Sequence, residues 1–599
     1  MASSRGNKLK DIWCKTSMDR EKEGKGIGGL VVSKLDPVEK ISSDLCVIKF
    51  CRHDKCSRHG FLSTLGLSAD EMVVLSGERP VVIALCTAII SRVTETTLDL
   101  IVESDSLPRL TTSDLVLRVD KYEGYNTTGL LYTNLARLMS DDGHSQKLRD
   151  LIINRTKPRF ANTMSKGCIE KVKHIFKPLN KPQKTAILKV LMSQDYVLIR
   201  GYPGTGKTST IVALVRVLQT LGRTVLLTSY THSAVDNILL KLKKEGLKFL
   251  RLGRLSRIHP DIREFSAEKR TLDCSSVSEL REFYKSQTIV ATSCLGTTHP
   301  VFNQRKFDVC IIDEASQIVQ PACLGPLFSA GNFVLVGDPK QLPPVVQSKD
   351  ARSLGMDVSL FAHLDGVGAT YELNLQYRMN SAIMELSNVL TYGGALKCGM
   401  ESIATAKLQT PNIESVTHIS ENHPWIDGVL SPDAQPALFL DTYQTPAPES
   451  RNSSGLVQNE GEARLVHIIL KCLIKAGVSS KEVGVIAPYR NQVMLIKQLL
   501  HGNNKSEISQ VEVNTVDQYQ GRDKSVIIIS LVRSSREINN KEEELLKDIR
   551  RLNVAITRAK HKLILLGDRQ TLTQYSPLKT IISTLDKKQA ISFECVPSC

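Results

Sequence analysis

The stretch from Tyr196 to Leu221 reads as a short apolar strand, then Gly201-Tyr202-Pro203-Gly204-Thr205-Gly206-Lys207-Thr208, then a helix with Ile211, Leu214, Val215 and Leu218 on one face, closed by Gly222. A glycine-rich loop joining a buried strand to a helix N-terminus commits the chain to an α/β layout, because backbone amides converge on an anion only where the strand ends and the helix begins. Further along, Asp313-Glu314-Ala315-Ser316 closes a second apolar run. The two elements together point to hydrolysis of a nucleoside triphosphate. Gly204 and Gly206 let amides close on the β- and γ-phosphates, Lys207 adds a mobile positive charge, and the Thr208 hydroxyl suits a magnesium ion. Asp313 would hold the same Mg²⁺, and Glu314 beside it is placed to orient or deprotonate the attacking water. Gln341, in Gly337-Asp338-Pro339-Lys340-Gln341-Leu342-Pro343-Pro344, sits on a stiff turn at a strand end, where an amide can report whether a γ-phosphate is present.

A chain of 599 residues exceeds what one core supports, and several domains are expected. Lys plus Arg number 78 against 62 Asp plus Glu, a formal charge of +16 that favours a polyanionic partner through counterion release. No run of apolar residues is long enough for a transmembrane helix, so no membrane partner is expected, and the polar Met1–Gly26 lacks the apolar core of a secretion signal. The 14 cysteines, such as Cys294, Cys310 and Cys472 in apolar segments, read as reduced thiols of an intracellular protein. Cys46, Cys51 and Cys56, with His53 and His59, offer enough metal ligands in number, but their spacing matches neither zinc knuckles nor ferredoxins, and Cys46–Phe50 alternates like a strand. Strand and loop cysteines are expected there.

The polar tail (residues 1–26) gives way to evenly spaced β-rich runs over 27–121, which predict a small antiparallel barrel or sandwich, and then to helical spacing over 122–178, which predicts a stalk. From 179 the texture is β-α-β, the sign of parallel sheets flanked by helices. One such domain is predicted over 179–368 and a second, without its own phosphate loop, over 369–586, leaving 587–599 as a tail. Residues 403–436, rich in Pro, Ser, Asn and Glu, read as a polar excursion from the second domain.

From residue 179 almost to the C-terminus, the order of these motifs resembles that of superfamily 1 helicases, whose fold pairs two RecA-like domains. The resemblance implies a role for each matching residue. Gln183, in Leu179-Asn180-Lys181-Pro182-Gln183, is similar to the glutamine that reads the adenine edge. Gln376-Tyr377-Arg378-Met379 resembles the motif whose tyrosine stacks on the base and whose arginine meets the γ-phosphate. Asp523, in Gln520-Gly521-Arg522-Asp523, takes the place of the acidic ribose contact, and Arg558, in Asn553-Val554-Ala555-Ile556-Thr557-Arg558-Ala559, that of an arginine finger. Since Arg378 and Arg558 belong to the second sheet and Lys207 and Glu314 to the first, hydrolysis would require the two domains to close. Ser229, Thr231 and His232, in Thr228-Ser229-Tyr230-Thr231-His232-Ser233-Ala234, resemble the backbone-touching motif of the first domain. Thr515, Gln520 and Tyr489 look like second-domain counterparts, with Tyr489 equally suited to stacking a base or to filling a core or hinge.

Longer strings, Leu226 to Leu242, Leu552 to Gly567 and Lys147 to Ile153, resemble the eukaryotic DNA replication ATP-dependent helicase/nuclease family. That family carries an upstream nuclease domain with an iron-sulfur cluster on four cysteines. Too few residues precede the barrel here to hold one, so neither nuclease activity nor the cluster is expected in this chain. The resemblance implies ATP and Mg²⁺ as cofactors, single-stranded DNA as a track followed 5′ to 3′, Okazaki-fragment processing, end resection and fork repair, and a single-strand DNA-binding protein as partner. It further implies a monomer in the nucleus, with the mitochondrion as a second location. Two other readings stay open: an RNA helicase of the nonsense-mediated-decay type, which shares nearly every motor motif, and a nucleotide-sensing clamp that does not hydrolyse.

Overall fold

The computed structural model describes residues 15–33, 38–40, 45–53, 67, 72–79, 81–94, 96–103, 106–111, 115–121, 126–416, 425–431, 433–443, 447–452, 455–500, 507–535, 544–585 and 590–592. Two compact units are present, Met1–Leu131 and Tyr132–Cys599.

The first unit is a barrel. Strands Gly26–Val32, Val116–Lys121, Met72–Arg79, Val81–Val93, Thr97–Glu103 and Leu45–Arg52 pair antiparallel in that order, and Leu45–Arg52 pairs back onto Gly26–Val32 to close the ring. Period-two alternation sends Cys46, Ile48 and Phe50 inward with Leu98, Leu100 and Val102, all buried. The expected polar tail is folded in part: Ser17–Lys22 is a helix capped by Thr16, and its Arg20 is buried with Nε 3.0 Å from Asp120 Oδ1. Arg118 Nε, 2.7 Å from Asp120 Oδ2, takes the other carboxylate oxygen. A buried arginine needs a buried acid, and the partner lies a hundred residues away, beyond what local sequence reveals. Cys46 donates its thiol to Val102 O, while Cys56 and His59 lie outside the described residues.

The second unit holds the two parallel sheets. Across the first, the order is Leu250–Arg251, Ile289–Ser293, Val225–Ser229, Phe307–Asp313, Ala330–Gly337, Tyr196–Gly201, Thr370–Leu373. The second runs Glu512–Asn514, Val483–Ile486, Lys524–Ser530, Ala559–Gly567, Ala437–Asp441, Ala590–Ser592. Helices cover both faces, so the central strands are continuous apolar runs. The phosphate loop lies at the C-terminal end of a strand flanked by neighbours on both sides, the usual place for a ligand in such sheets.

Three boundaries move from the sequence expectation. Thr370–Leu373 pairs with Tyr196–Gly201, so the first sheet extends past residue 368, and Ala590–Ser592 joins the second sheet beyond residue 586. Edge strands of three or four residues carry too little apolar signal to be read locally. The stretch 403–436 is no polar excursion throughout, because Leu408, Val416, Trp425, Ile426, Val429 and Leu430 enter the core of the second RecA-like domain. Residues 417–424 lie outside the described residues. Helices Asn126–Leu138, Gly143–Ile152 and Lys166–Phe176 occupy the stretch read as a stalk. They are docked on the first RecA-like domain: Asn134 Nδ2 donates to Pro321 O at 2.9 Å, Lys147 Nζ pairs with Asp195 at 3.0 Å, and Val172 and Ile175 join the apolar core.

Glu462 lies wholly buried in the second RecA-like domain, accepting from Ser530 Oγ at 2.7 Å and from the Val532 amide at 2.9 Å. It thereby holds Val532 at a φ of 74°, a costly conformation for a β-branched residue. Burial pushes the Glu462 carboxyl up to about 8, against the pull of these donors. A folded-state value above the unfolded one means that its contribution is full below the unfolded value and is lost as pH rises through 8. Glu462→Gln should therefore gain stability relative to wild type between pH 5 and 8, by roughly 1–3 kcal/mol. Paired urea titrations at the two pH values check this, and a pH-independent difference counts against it.

Candidate nucleotide site and nucleic-acid groove

The phosphate loop is shaped by its glycines. Gly204 and Gly206 have φ of 73° and 81°, and a Cβ at Gly204 would stand 2.7 Å from Arg378 Cβ, so the loop and the second-domain arginine touch only because that position is glycine. Lys207 Nζ donates to Gly201 O at 2.9 Å, folding the lysine back over its own loop. Gln183 is buried behind the loop and donates Nε2 to Thr205 O at 3.3 Å, while its Oε1 accepts from Asn180 N in a capping box. Asn180 Nδ2 in turn reaches the Tyr377 hydroxyl at 3.1 Å, and Tyr377 N donates to Gly204 O at 2.9 Å.

Phe307–Asp313 delivers its acids to the same place. Glu314 follows with a φ of 50°, a left-handed conformation that turns its carboxylate out of the strand, where Gln317 Nε2 donates to it at 2.9 Å. Asp313 is buried, and its Oδ1 has no hydrogen-bond partner. Burial and the neighbouring Glu314 carboxylate raise its pKa, and Lys207 opposes the rise. A buried carboxylate oxygen without a partner fits a hard cation, so Asp313, together with the Thr208 hydroxyl of the loop, would be the groups to hold Mg²⁺.

The arginines come from the second RecA-like domain, but only Arg558 adjoins its six-stranded sheet: Arg378 follows Leu375–Gln376, which pairs with Lys397–Cys398 in a separate two-stranded sheet, a pairing too short to show in the sequence. Arg378 is held by Asp523 at 3.0 Å and by Thr557 O at 3.1 Å, and Lys560 Nζ takes the other Asp523 oxygen at 2.8 Å. Arg558 is buried and fixed through carbonyls: Nε donates to Val554 O at 2.9 Å and Nη1 to Arg522 O at 3.4 Å. Among the described residues it forms no ion pair. Burial and then the nearby Arg378 charge bring its guanidinium down to about 9, still ionised at neutral pH.

These groups surround one cavity of about 230 Å³, lined by Gly204, Thr205, Gly206, Lys207, Thr208, Glu314 and Gln341 of the first domain and by Arg378 and Arg558 of the second. Beside it runs a larger groove of about 610 Å³, between Tyr230, Thr231 and the Pro343–Val346 turn on one side and Asp517, Gln520, Lys547 and Ile549–Arg551 on the other.

Family models described as AAA domains match residues 178–280, 270–349 and 356–570. The chain is 44% identical over 595 residues to the DNA replication ATP-dependent helicase/nuclease DNA2 of Mus musculus, covering 97% of this chain and 54% of that protein. It is 46% identical over 604 residues to the Xenopus laevis protein of the same name, covering 98% and 56%. The chain belongs to the DNA replication ATP-dependent helicase/nuclease family. It spans little more than half the length of these relatives, and against the Saccharomyces cerevisiae protein it is 37% identical over 465 residues, 76% of this chain and 30% of that one. Among solved structures, the Arterivirus nonstructural protein 10 helicase superposes with a TM-score of 0.36 at 12% identity, over 88% of this chain and 78% of that one.

Within this helicase/nuclease family member, several residues sit elsewhere than their motifs imply. Ser229 ends a fully buried strand opposite Asp313 in register, so its hydroxyl neighbours the acidic pair and is closed off from a passing strand. His232 turns inward, Nδ1 lying 3.0 Å from Arg251 Nη2, because Arg251 and Asp236 form a buried pair at 2.8 Å that the imidazole caps. Thr231 lines the groove, whereas Thr515 and half-buried Tyr489 do not. Gln520 lines both the groove and the nucleotide cavity, and its Nε2 is buried without a partner. Asp523, expected at the ribose, has both oxygens engaged by Arg378 and Lys560, and its place is behind the arginine. Lys241 and Gly521 line the cavity without any sequence signal, Lys241 because it reads as one more cation near a helix end.

Proposed function

We propose that this chain is an ATP-hydrolysing motor that translocates along single-stranded DNA, 5′ to 3′, and unwinds duplex ahead of it. The observation that carries this reading is the cavity in which Lys207, Glu314 and Gln341 of one RecA-like domain face Arg378 and Arg558 of the other. Phosphoryl transfer depends on charge stabilisation and alignment, so a site split between two domains makes hydrolysis contingent on their closure. Closure and opening then change the grip of each domain on a strand in the adjacent groove, whose Lys547, Arg550 and Arg551 suit phosphates and whose exposed Tyr230 suits a base. When bound, Mg²⁺ supplies neutralisation of the phosphate charge at Thr208 and Asp313. The names of the relatives support a place in DNA replication, and with it Okazaki-fragment processing, end resection and fork repair. A nuclear motor with a mitochondrial pool, working as a monomer with a single-strand DNA-binding protein, follows from the same kinship.

ATP hydrolysis measured with no strand, with single-stranded DNA and with single-stranded RNA tests this. DNA should stimulate turnover, and Lys207→Ala should lower it by on the order of 10²–10³-fold, since an electrostatic donor to the transferring group is lost. Stimulation by RNA and not DNA would favour an RNA motor. Turnover indifferent to either strand and to Lys207→Ala would leave only a nucleotide-sensing clamp.

A further inference from the structure

Tyr392 stands where three parts of the machine meet. It ends a π-helical turn, Asn388–Tyr392, of the second motor domain, a form of backbone that recurs at working sites. Its ring packs on that of Tyr202 in the phosphate loop, with centroids 4.6 Å apart. Its hydroxyl donates to Asp338 Oδ2 at 2.6 Å, and the same oxygen accepts from Gln341 Nε2 at 2.8 Å. The phenol oxygen then accepts from Asn553 Nδ2 at 2.9 Å, whose second proton goes to Lys340 O at 3.2 Å, while Ser387 Oγ donates to Asn553 Oδ1 at 2.7 Å. Asp338, Gln341, Ser387, Tyr392 and Asn553 are all buried, and Lys340 is exposed. Burial beside the Asp338 carboxylate raises the Tyr392 pKa well above its ordinary value, which keeps the phenol a donor.

Asn553 lies on helix Ile549–Ile556. The first residues of that helix, Ile549, Arg550 and Arg551, face the wide groove, and Arg558, just past its last turn, faces the nucleotide cavity. Thr557 Oγ1 donates to Asn553 O at 2.8 Å and accepts from Arg558 Nη2 at 3.2 Å, so the asparagine is tied to the arginine as well. A shift of Gln341 toward or away from a γ-phosphate alters its bond to Asp338, and among the described residues hydrogen bonds lead from Asp338 to Asn553 of this helix by two routes, through the Tyr392 hydroxyl and through Lys340.

We propose that Tyr392 is a positioning residue that couples the nucleotide site to the strand-binding groove, by tying Gln341, through Asp338, to the helix that carries Arg558 at one end and groove residues at the other. The coupling rests on the motor reading above. Tyr392 is placed outside the reacting groups, so its loss should change communication and leave the chemistry in place. Buried hydrogen-bonded chains of this kind respond as units, since each member left unpaired destabilises the arrangement of the next.

Tyr392→Phe removes one oxygen and keeps the ring against Tyr202. In the full chain, basal ATP turnover and the KM for ATP should stay at wild-type level, while the stimulation by oligo-dT should fall about ten-fold, the size of a typical intersite coupling. The change in oligo-dT affinity on adding a non-hydrolysable ATP analogue should shrink with it. Asn553→Leu, which cuts the same link from the helix side, should reproduce the loss, so the test does not depend on one variant folding. Unchanged stimulation in both variants overturns the coupling, as does a parallel fall of basal and stimulated rates with a lowered melting temperature, the mark of a purely structural role. A wild-type chain that ignores oligo-dT overturns the motor reading itself and the coupling with it.

Discussion

Arg558→Ala is expected to lower kcat for ATP hydrolysis by about 10³-fold or more while nucleotide binding stays near wild type, because an arginine finger acts chiefly on the charge that develops at the transferring phosphoryl group. Arg378 has its charge balanced by Asp523 at 3.0 Å, but Arg558 is buried, held among the described residues by carbonyls and a threonine hydroxyl, and aimed into the cavity that also holds Lys207 and Glu314. A buried cation that forms no direct ion pair among the described residues, with Asp523 and Glu314 acting on it only from a distance, is costly unless an anion arrives. Arg558→Lys keeps the charge and loses the fixed fork of donors, so it should recover only part of the rate. Single-turnover hydrolysis with strand present reads both effects, and a loss confined to KM would show that Arg558 binds ground-state nucleotide without serving the reaction.

Glu314→Gln should reduce kcat by roughly 10²–10⁴-fold, the range for losing a positioned acid or base, with ATP affinity kept. The glutamine can occupy the same left-handed backbone at 314 and still accept from Gln317, so geometry is preserved and only the proton-accepting oxygen is lost. Equilibrium binding of a fluorescent ATP analogue alongside steady-state turnover separates the two. A kcat within a few-fold of wild type would move the water-orienting role to another residue, Gln341 being the neighbour that also lines the cavity.

The cavity was legible in the sequence to a large degree, and for a physical reason. Phosphate binding needs backbone amides in a fixed order, so Gly201–Thr208 must be contiguous, and Asp313-Glu314 must follow an apolar strand. Contiguity is what a sequence displays. The groove residues were read less well. Ser229 and His232 belong to a string whose likeness to a strand-binding motif is clear, yet whether a hydroxyl faces a groove or an interior depends on the register with Asp313 and on the buried Arg251–Asp236 pair. Asp523 was sent to the ribose by its motif, whereas its neighbours in space, Arg378 and Lys560, make it a counter-ion.

The sequence by itself determined the class of fold, the strand-loop-helix that cradles phosphate, the acidic pair and the presence of two arginines in a second domain, because each is set by local spacing and by period. Tertiary structure alone decided that the two sheets share one cavity, that Gln520 lines it, and that Tyr392 joins Tyr202, Asp338 and Asn553. Those contacts are between residues far apart in the chain, and their energies come from burial and hydrogen-bond pairing, which exist only once the elements have packed.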